Sequence, residues 1–583
     1  MSSKDNQRRS LAFLVIFFLG FIYIEKVLTP FLQGDLKKKN TEVASTDKFS
    51  AGTSDGEKNN VKQVDNSKEV NSNIVTAQPD LGASKEEVFR RDGIIKVLTG
   101  VSQVEISKKG GRLLSVKLNN FKKASARDEE LYEVIVNDGS SDYPLGVILG
   151  TESDSDVLYS VEGGNVDLSD ANSSGTVTLK GTLPSGKLIS KTFTFHNGSY
   201  LFDLDILSEG STESPYLLWT KNLTHISSGG NATTSTLDPY GFTGFVSFNG
   251  EVADRTAFAD MKDLKTKKDL LGTKWLAVGD KYFASAIVSP DAQGFSTAHI
   301  ERLDGSTFMK VGSAGSSDLK VKIFSGPKSY TLLNDLGFEL RRLLDLGKTG
   351  IISGPLLSLL NIFYKLVGNY GLAIVLLTIV VKLVLYQLNT SQFKQMKAMQ
   401  ALKPELDRIK ETITDKQQQQ MALMNLYKTK GVNPLGGCLP VLVQMPIFIG
   451  LYSALSLAVE LRHADFGGWV HDLSSPDALM IAGIAVPMLV ILFTLSMLVQ
   501  QWITPSTMDP QQKKVMMIMP IFMFFMFKGF PAGLAVYWLT NNLISIGQQQ
   551  GLHYNDRSGK SGFKITGIVA VSVFLLAYVF TLT

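Results

Sequence analysis

NYGLAIVLLTIVVKLVLYQL, residues 369–388, is a run of twenty residues with a single charge, Lys382. As a helix, about twenty apolar residues cross the roughly 30 Å of hydrocarbon in a bilayer. Similar runs occupy 435–459, 479–500, 515–527 and 532–547, and another, LAFLVIFFLGFIYI, begins at Leu11. The hydrophobic fraction, 44%, is ordinary, so it is the bunching that assigns the class. This pattern predicts a polytopic α-helical membrane protein: an N-terminal anchor and a five-helix core, with a large exported antiparallel β-sandwich domain between them. The short span at 515–527 is joined to the next by a tight Lys528-Gly529-Phe530-Pro531 turn. A last apolar run, Ile565–Thr583, follows a basic linker and predicts an extra C-terminal span over 551–583.

Charge placement orients these spans. The net charge is only +4, which gives no case for nucleic-acid binding, but residues 389–433 hold eight Lys/Arg against one, Arg462, in 460–478. Lys513 and Lys514, and later Arg557, Lys560 and Lys564, mark further basic connections. Basic loops stay in the cytoplasm. The β domain is therefore expected outside it. The one cysteine, Cys438, excludes an intramolecular disulfide and a thiolate zinc site.

The soluble parts follow from composition. Lys4, Arg8 and Arg9 precede the first apolar run, and Glu25-Lys26 follow it without a small-residue cleavage pattern. Residues 1–32 are read as an uncleaved anchor. Residues 33–84, rich in Ser, Asn, Lys, Asp and Gly, read as a flexible linker. From 85 to 328 the pattern has period two, as in LLSVKLNNF (113–121) and YEVIVND (132–138). Its clearest hairpin is 189–206, where Asn197-Gly198 supplies the positive φ of a tight turn. The sequons at Asn172, Asn197, Asn222 and Asn231 read as surface turns. His196, His225 and His299 form no catalytic spacing. Residues 329–350 carry Leu332, Leu333, Leu336, Leu340, Leu343 and Leu344 near helical spacing, which predicts one amphipathic helix lying on the membrane.

The residues able to do chemistry are few. The spans after residue 355 contain no Asp, Glu or His, which argues against a proton- or cation-coupled pump. Lys382 lies about 10 Å along a helix from Asn389, where a charge costs about 2.5–3.5 kcal/mol. Either it snorkels to the interface or it lines a wet cavity. Thr378, Gln444, Thr540, Asn541 and Asn542 favour the second reading, although each alone is ordinary interhelical glue. Pro434, Pro440, Pro446, Pro487 and Pro520 free carbonyls that must find partners and can leave a bundle imperfectly closed. Met516, Met517, Met519, Met523 and Met526 crowd the short span, and flexible thioethers suit partners of varied sequence or simply fill space. The 389–433 loop reads as a basic helical hairpin, 391–411 and 416–430, with Asp415 capping the second helix and Gly431 ending it.

Three segments, NPLGGCLPVLVQMPIFIGLY (433–452), DPQQKKVMMIMPIFMFF (509–525) and FPAGLAVYWLTNNLISIGQQQ (530–550), resemble signature spans of the YidC/Oxa insertase family. WLAVGDKYFASAIV (275–288) and FSGPK (324–328) resemble the exported domain of its Gram-negative branch. The resemblance implies an inner-membrane insertase and chaperone that works without cofactor or covalent chemistry. It further implies a periplasmic β-supersandwich and a hydrophilic groove closed toward the outside. Lys382 falls at the place of the groove's basic residue, and Thr378, Gln444, Tyr537, Trp538, Thr540, Asn541 and Asn542 are expected to line it. Met516, Met519 and Met523 are expected on the apolar slide toward lipid. Expected partners are nascent membrane proteins, the lipid bilayer, the Sec translocon with its accessory subunits, and a translating ribosome. Members of the family commonly end in a basic tail, whereas here the apolar 565–583 stands in its place. The rival readings are a small-solute transporter, which would want inverted repeats and ion ligands, and a membrane-anchored carbohydrate enzyme.

Overall fold

The computed structural model describes residues 93–123, 130–137, 143–168, 173–219, 241–258, 268–270, 272–303, 306–432, 439–504, 510–558 and 562–582. The anchor and the linker expected at 1–32 and 33–84 lie outside them, as do Asn172, Asn222, Asn231, His225, Pro434 and Cys438.

Period-two alternation becomes sheet where it was expected. A nine-stranded sheet runs in the order 253–257, 244–248, 275–279, 283–288, 318–327, 201–209, 188–196, 174–182 and 160–162, and sheets of six and five strands accompany it. The nine-stranded sheet pairs antiparallel through Leu188–His196, Leu201–Glu209 and Asp318–Pro327, whereas Val97 and Leu98 meet Val166 and Asp167 in parallel. Leu188–His196 and Leu201–Glu209 form the hairpin read from the sequence. Of its turn residues only Gly198 takes positive φ, 71°. Asn197 instead accepts a hydrogen bond from the Gly100 N–H at 3.0 Å through its side chain.

Alternation also turns Lys191 inward, between buried Ile189 and Phe193. A buried cation must be paired. Its ammonium meets Asp154 Oδ2 at 2.6 Å and donates to the carbonyls of Gly110 at 2.8 Å and Leu145 at 2.7 Å. Asp154 also accepts from Arg112 Nη2 at 3.0 Å, Tyr159 OH at 3.0 Å and the Val147 N–H at 2.9 Å. This network ties the nine-stranded sheet to the loops of the other two. Burial pushes the Lys191 ammonium down to about 8, against the pull of Asp154. Asp154→Ala leaves two cations facing each other without a carboxylate. It is expected to cost about 3–5 kcal/mol, read as an earlier urea transition of the full chain in detergent. An unchanged midpoint would contradict the assignment.

The helices follow. The leucine-rich 329–350 segment is not one helix: α1 (Tyr330–Leu336) stops at Gly337, φ 78°, and only short 3-10 turns follow at Leu340–Leu343 and Gly347–Thr349. Phe338 and Glu339 also take positive φ, 52° and 54°, which breaks the helical register. The next element, α2 (Gly350–Val367), is long and apolar enough to cross a membrane. Its Gly, Ser and Pro residues dilute the apolar run, and the sequence reading started the spans later. The run quoted first is α3 (Tyr370–Val384), capped by Asn369 Oδ1 accepting from the Leu372 N–H at 3.1 Å. It does not continue straight to Leu388 but bends by 63° into α4 (Tyr386–Ala401).

Then come α5 (Lys403–Thr412) and α6 (Lys416–Lys430), with Asp415 capping α6 and Gly431 ending it at φ 65°. Next is α7 (Leu439–Leu457). Residues 479–486, expected as the first turns of a span, are instead a hairpin of Leu479–Ile481 and Ile484–Val486. Ala482 and Gly483 both take positive φ, 50° and 81°, a turn that suits flanking β-branched residues. The helix α8 (Met488–Ile503) begins only after Pro487. The last three are α9 (Pro510–Phe527), α10 (Ala532–Ser558) and α11 (Gly562–Thr581). Among the described residues α2 and α11 are singly long enough to span, and the bent α3–α4 pair makes a third, while α7, α8 and α9 contribute shorter apolar helices.

The loop between α7 and α8 touches the β domain. Arg462 donates to the carbonyls of Lys122 at 2.7 Å and Lys123 at 2.9 Å, and its guanidinium lies 4.9 Å from the Tyr132 ring centroid. This contact marks one end of the helical bundle as the β-domain end.

Candidate functional site

Lys382 sits in the last turn of α3, yet only 6% of it is exposed. It does not snorkel. Its ammonium donates to Ser545 Oγ of α10 at 2.6 Å, and that hydroxyl donates in turn to the Asn541 carbonyl at 2.7 Å. A single hydroxyl is a thin shell for a cation whose desolvation costs several kcal/mol. Polar groups gather on the same side of the bend. Gln548, buried one turn beyond Ser545, donates to the Tyr386 carbonyl at 3.0 Å and to Thr390 Oγ1 at 3.1 Å, so α10 holds the start of α4. Asn389, also buried, has an amide nitrogen with no hydrogen-bond partner among the described residues. An unpaired buried amide in a site of this kind is a place for a ligand group.

The other expected groove residues divide. Thr378 is buried, but its hydroxyl bonds back to the Ile374 carbonyl at 2.7 Å, which satisfies it within α3. Gln444 is half-buried on α7. Among the described residues no hydrogen bond joins Thr378 or Gln444 to Lys382. Asn542 ties α10 to α8 through Ser496 Oγ at 3.2 Å, and Thr540 and Tyr537 are buried.

Trp538 is buried and packs among aromatic rings. Its ring lies 3.8 Å from Phe527, 5.6 Å from Phe448, 5.7 Å from Phe493 and 6.0 Å from Phe530. The Ala532 N–H donates to the Ser475 carbonyl and the Gly533 N–H to the Leu473 carbonyl, so the start of α10 belongs to the β-domain end. Seven residues, about 10 Å of helix, separate the aromatic cluster at Trp538 from Ser545. The aromatic cluster thus lies nearer the β-domain end of α10 than Ser545 does.

On α9, Met519 is 41% exposed and Met523 half-exposed, with Ile518, Ile521, Phe522 and Phe525 exposed around them. The side chain of Met516 lies outside the described ones. Sequence reading missed Ser545, Gln548 and Asn389. For the two on α10 the signal was spacing: Trp538, Asn541, Ser545 and Gln548 fall at i, i+3, i+7 and i+10, one face of a helix. Among the described residues no group of His, Cys, Asp and Glu could hold a metal.

Two family models match this chain. The 60Kd inner membrane protein model covers residues 362–558, and the YidC periplasmic domain model covers 94–359. The "Membrane protein insertase YidC" of Syntrophus aciditrophicus is 33% identical over 82% of this chain and 87% of its own. That of Pelobacter propionicus is 33% identical over 81% of this chain and 89% of its own. A crystal structure of an active YidC insertase with its first transmembrane domain resolved aligns over 78% of this chain and 91% of its own, at 21% identity and a TM-score of 0.33. With both halves matched in order and full-length relatives at this identity, the chain belongs to the YidC family of membrane protein insertases.

Proposed function

We propose that the recess around Lys382 is where this insertase receives the polar flank of a nascent membrane protein before releasing its apolar helix into lipid. The observation that carries the reading is the buried ammonium of Lys382, for which Ser545 Oγ is the one hydrogen-bond partner among the described residues. An acidic or polar flank supplies what that ammonium lacks, and their attraction is strongest where water is scarce. The aromatic plug around Trp538 opposes passage toward the β-domain end, which leaves entry from the opposite end and exit sideways. Exposed apolar side chains on α9, Met519 and Met523 among them, then give the client helix a path driven by burial of apolar surface. Thr378 and Gln444 contribute polarity to the walls, and Tyr537, Thr540, Asn541 and Asn542 shape the α10 face. Every step is non-covalent and needs no cofactor.

The proposed topology puts the basic 389–433 hairpin in the cytoplasm and the β domain in the periplasm of a Gram-negative cell, as the positive-inside asymmetry favours. The hairpin then faces the ribosome, and the Sec translocon with its accessory subunits is the proposed membrane partner. The relatives lend no support to a small-solute transporter.

Lys382→Glu is expected to lower insertion of clients with acidic exported flanks at least about tenfold in reconstituted vesicles, because like charges now meet in the recess. Lys382→Arg should keep most of it. Equal insertion by wild type and Lys382→Glu would sink the groove-charge reading. A bulky lysine-directed reagent added from the hairpin side should modify the exposed Lys394 and Lys397 while sparing Lys382. Modification of all three at one rate would mean that Lys382 reaches bulk water.

A further inference from the structure

The family model ends at residue 558, and α11 begins four residues later, at Gly562. This helix is fitted at both ends. Near its start Val569 packs so closely on Gly547 of α10 that a Cβ there would lie 2.6 Å from Val569 Cγ1. Thr566 and Ala570 are buried on the inner face, while Ile568 is 66% and Leu576 70% exposed on the other. The helix lies along both α10 and α3, the two elements joined by Lys382 and Ser545.

At its far end Phe580 meets Phe466 at 5.1 Å and Trp469 at 4.9 Å between ring centroids. A Cβ on Gly467 would lie 2.5 Å from the Phe580 carbonyl oxygen, and one on Gly468 2.6 Å from its ring. Phe466 also packs over Gly371 in the first turn of α3. The loop that receives Phe580 is the one whose Arg462 grips the β domain.

We infer that α11 is a built-in wall: it covers the α3–α10 seam behind Lys382, with its far end fixed at the β-domain side, and so restricts clients to leaving past α7 and α9. The inference rests on the insertase reading above. It gives the release step a direction. A seam whose polar pair faced lipid would offer a client a second exit, and α11 occupies it. Met445 and Ile449 of α7 and Met519 and Phe522 of α9 remain exposed.

The test uses the full wild-type chain in vesicles and a stalled client carrying a photoreactive residue in its apolar helix, with adducts mapped by peptide mass spectrometry. Adducts on α7 and α9 should exceed those on α11 at least tenfold; adducts on α11 as abundant as those on α9 would overturn the wall. Adducts nowhere in the helical core would overturn the insertase reading itself, a separable failure. As a second arm, Gly547→Leu drives a wedge between α10 and α11 and should move adducts onto α3 and α11, with Val569→Ala beside it reversing the change. A wedge variant that folds and keeps the wild-type map overturns the proposal. Finally, Leu582→Cys in a Cys438→Ser chain should react with an impermeant maleimide only from the β-domain side; reaction from the other side also overturns it.

Discussion

A charge inside an apolar helix is the constraint on which the helical half of this protein turns. Placing an ammonium at residue 382 costs about 2.5–3.5 kcal/mol in a lipid-exposed helix, so the surrounding elements must answer it. They do so with a bend and a pairing. α3 ends two residues later and the chain turns by 63° into α4, while α10 brings Ser545 to the ammonium and Gln548 to the carbonyl at the bend. A straight α3 sealed against lipid would have left the same cation without any donor–acceptor surroundings.

The aromatic cluster around Trp538 complements it. Aromatic rings bury large areas and interlock in tilted and edge contacts. They stand about 10 Å from Ser545 along α10, and in the proposed function they close one end of the recess. One helix thus carries a plug in its first half and a polar face in its second. The β domain is linked to that same closed end through Arg462, whose guanidinium sits over Tyr132 and Phe283. The buried Lys191–Asp154 network inside the β domain solves a similar problem differently, with a full set of partners, and that contrast separates a structural cation from one with coordination to spare.

Much of this was legible in residues. Asp415 and Gly431 as helix ends, Gly198 as part of the hairpin turn and Lys382 as the odd charge were all readable from local chemistry. The family was readable from the runs at 433–452 and 530–550. What escaped depended on contacts between distant segments or on ambiguous periodicity. Residues 479–486 are uniformly apolar, and an apolar run of that length fits a strand and a helix start alike; the Ala482-Gly483 turn decides it. The leucines of 329–350 keep helical spacing across Gly337, but the backbone there takes positive φ. Trp538 and Ser545 share one face of α10, and nothing in their spacing says that the first meets four phenylalanines and the second a lysine.

The central claim is that the Lys382 ammonium stands in a hydrated recess and not in a dry seam. Solid-state NMR of the lysine-labelled chain in lipid bilayers tests it most directly, through magnetisation transfer from water to the Lys382 Nζ, assigned with a Lys382→Met control. The account predicts a resonance of charged ammonium with rapid transfer from water, slowed when a stalled client with an acidic flank is bound. A neutral amine without water transfer, or a resonance indifferent to the client, would contradict it.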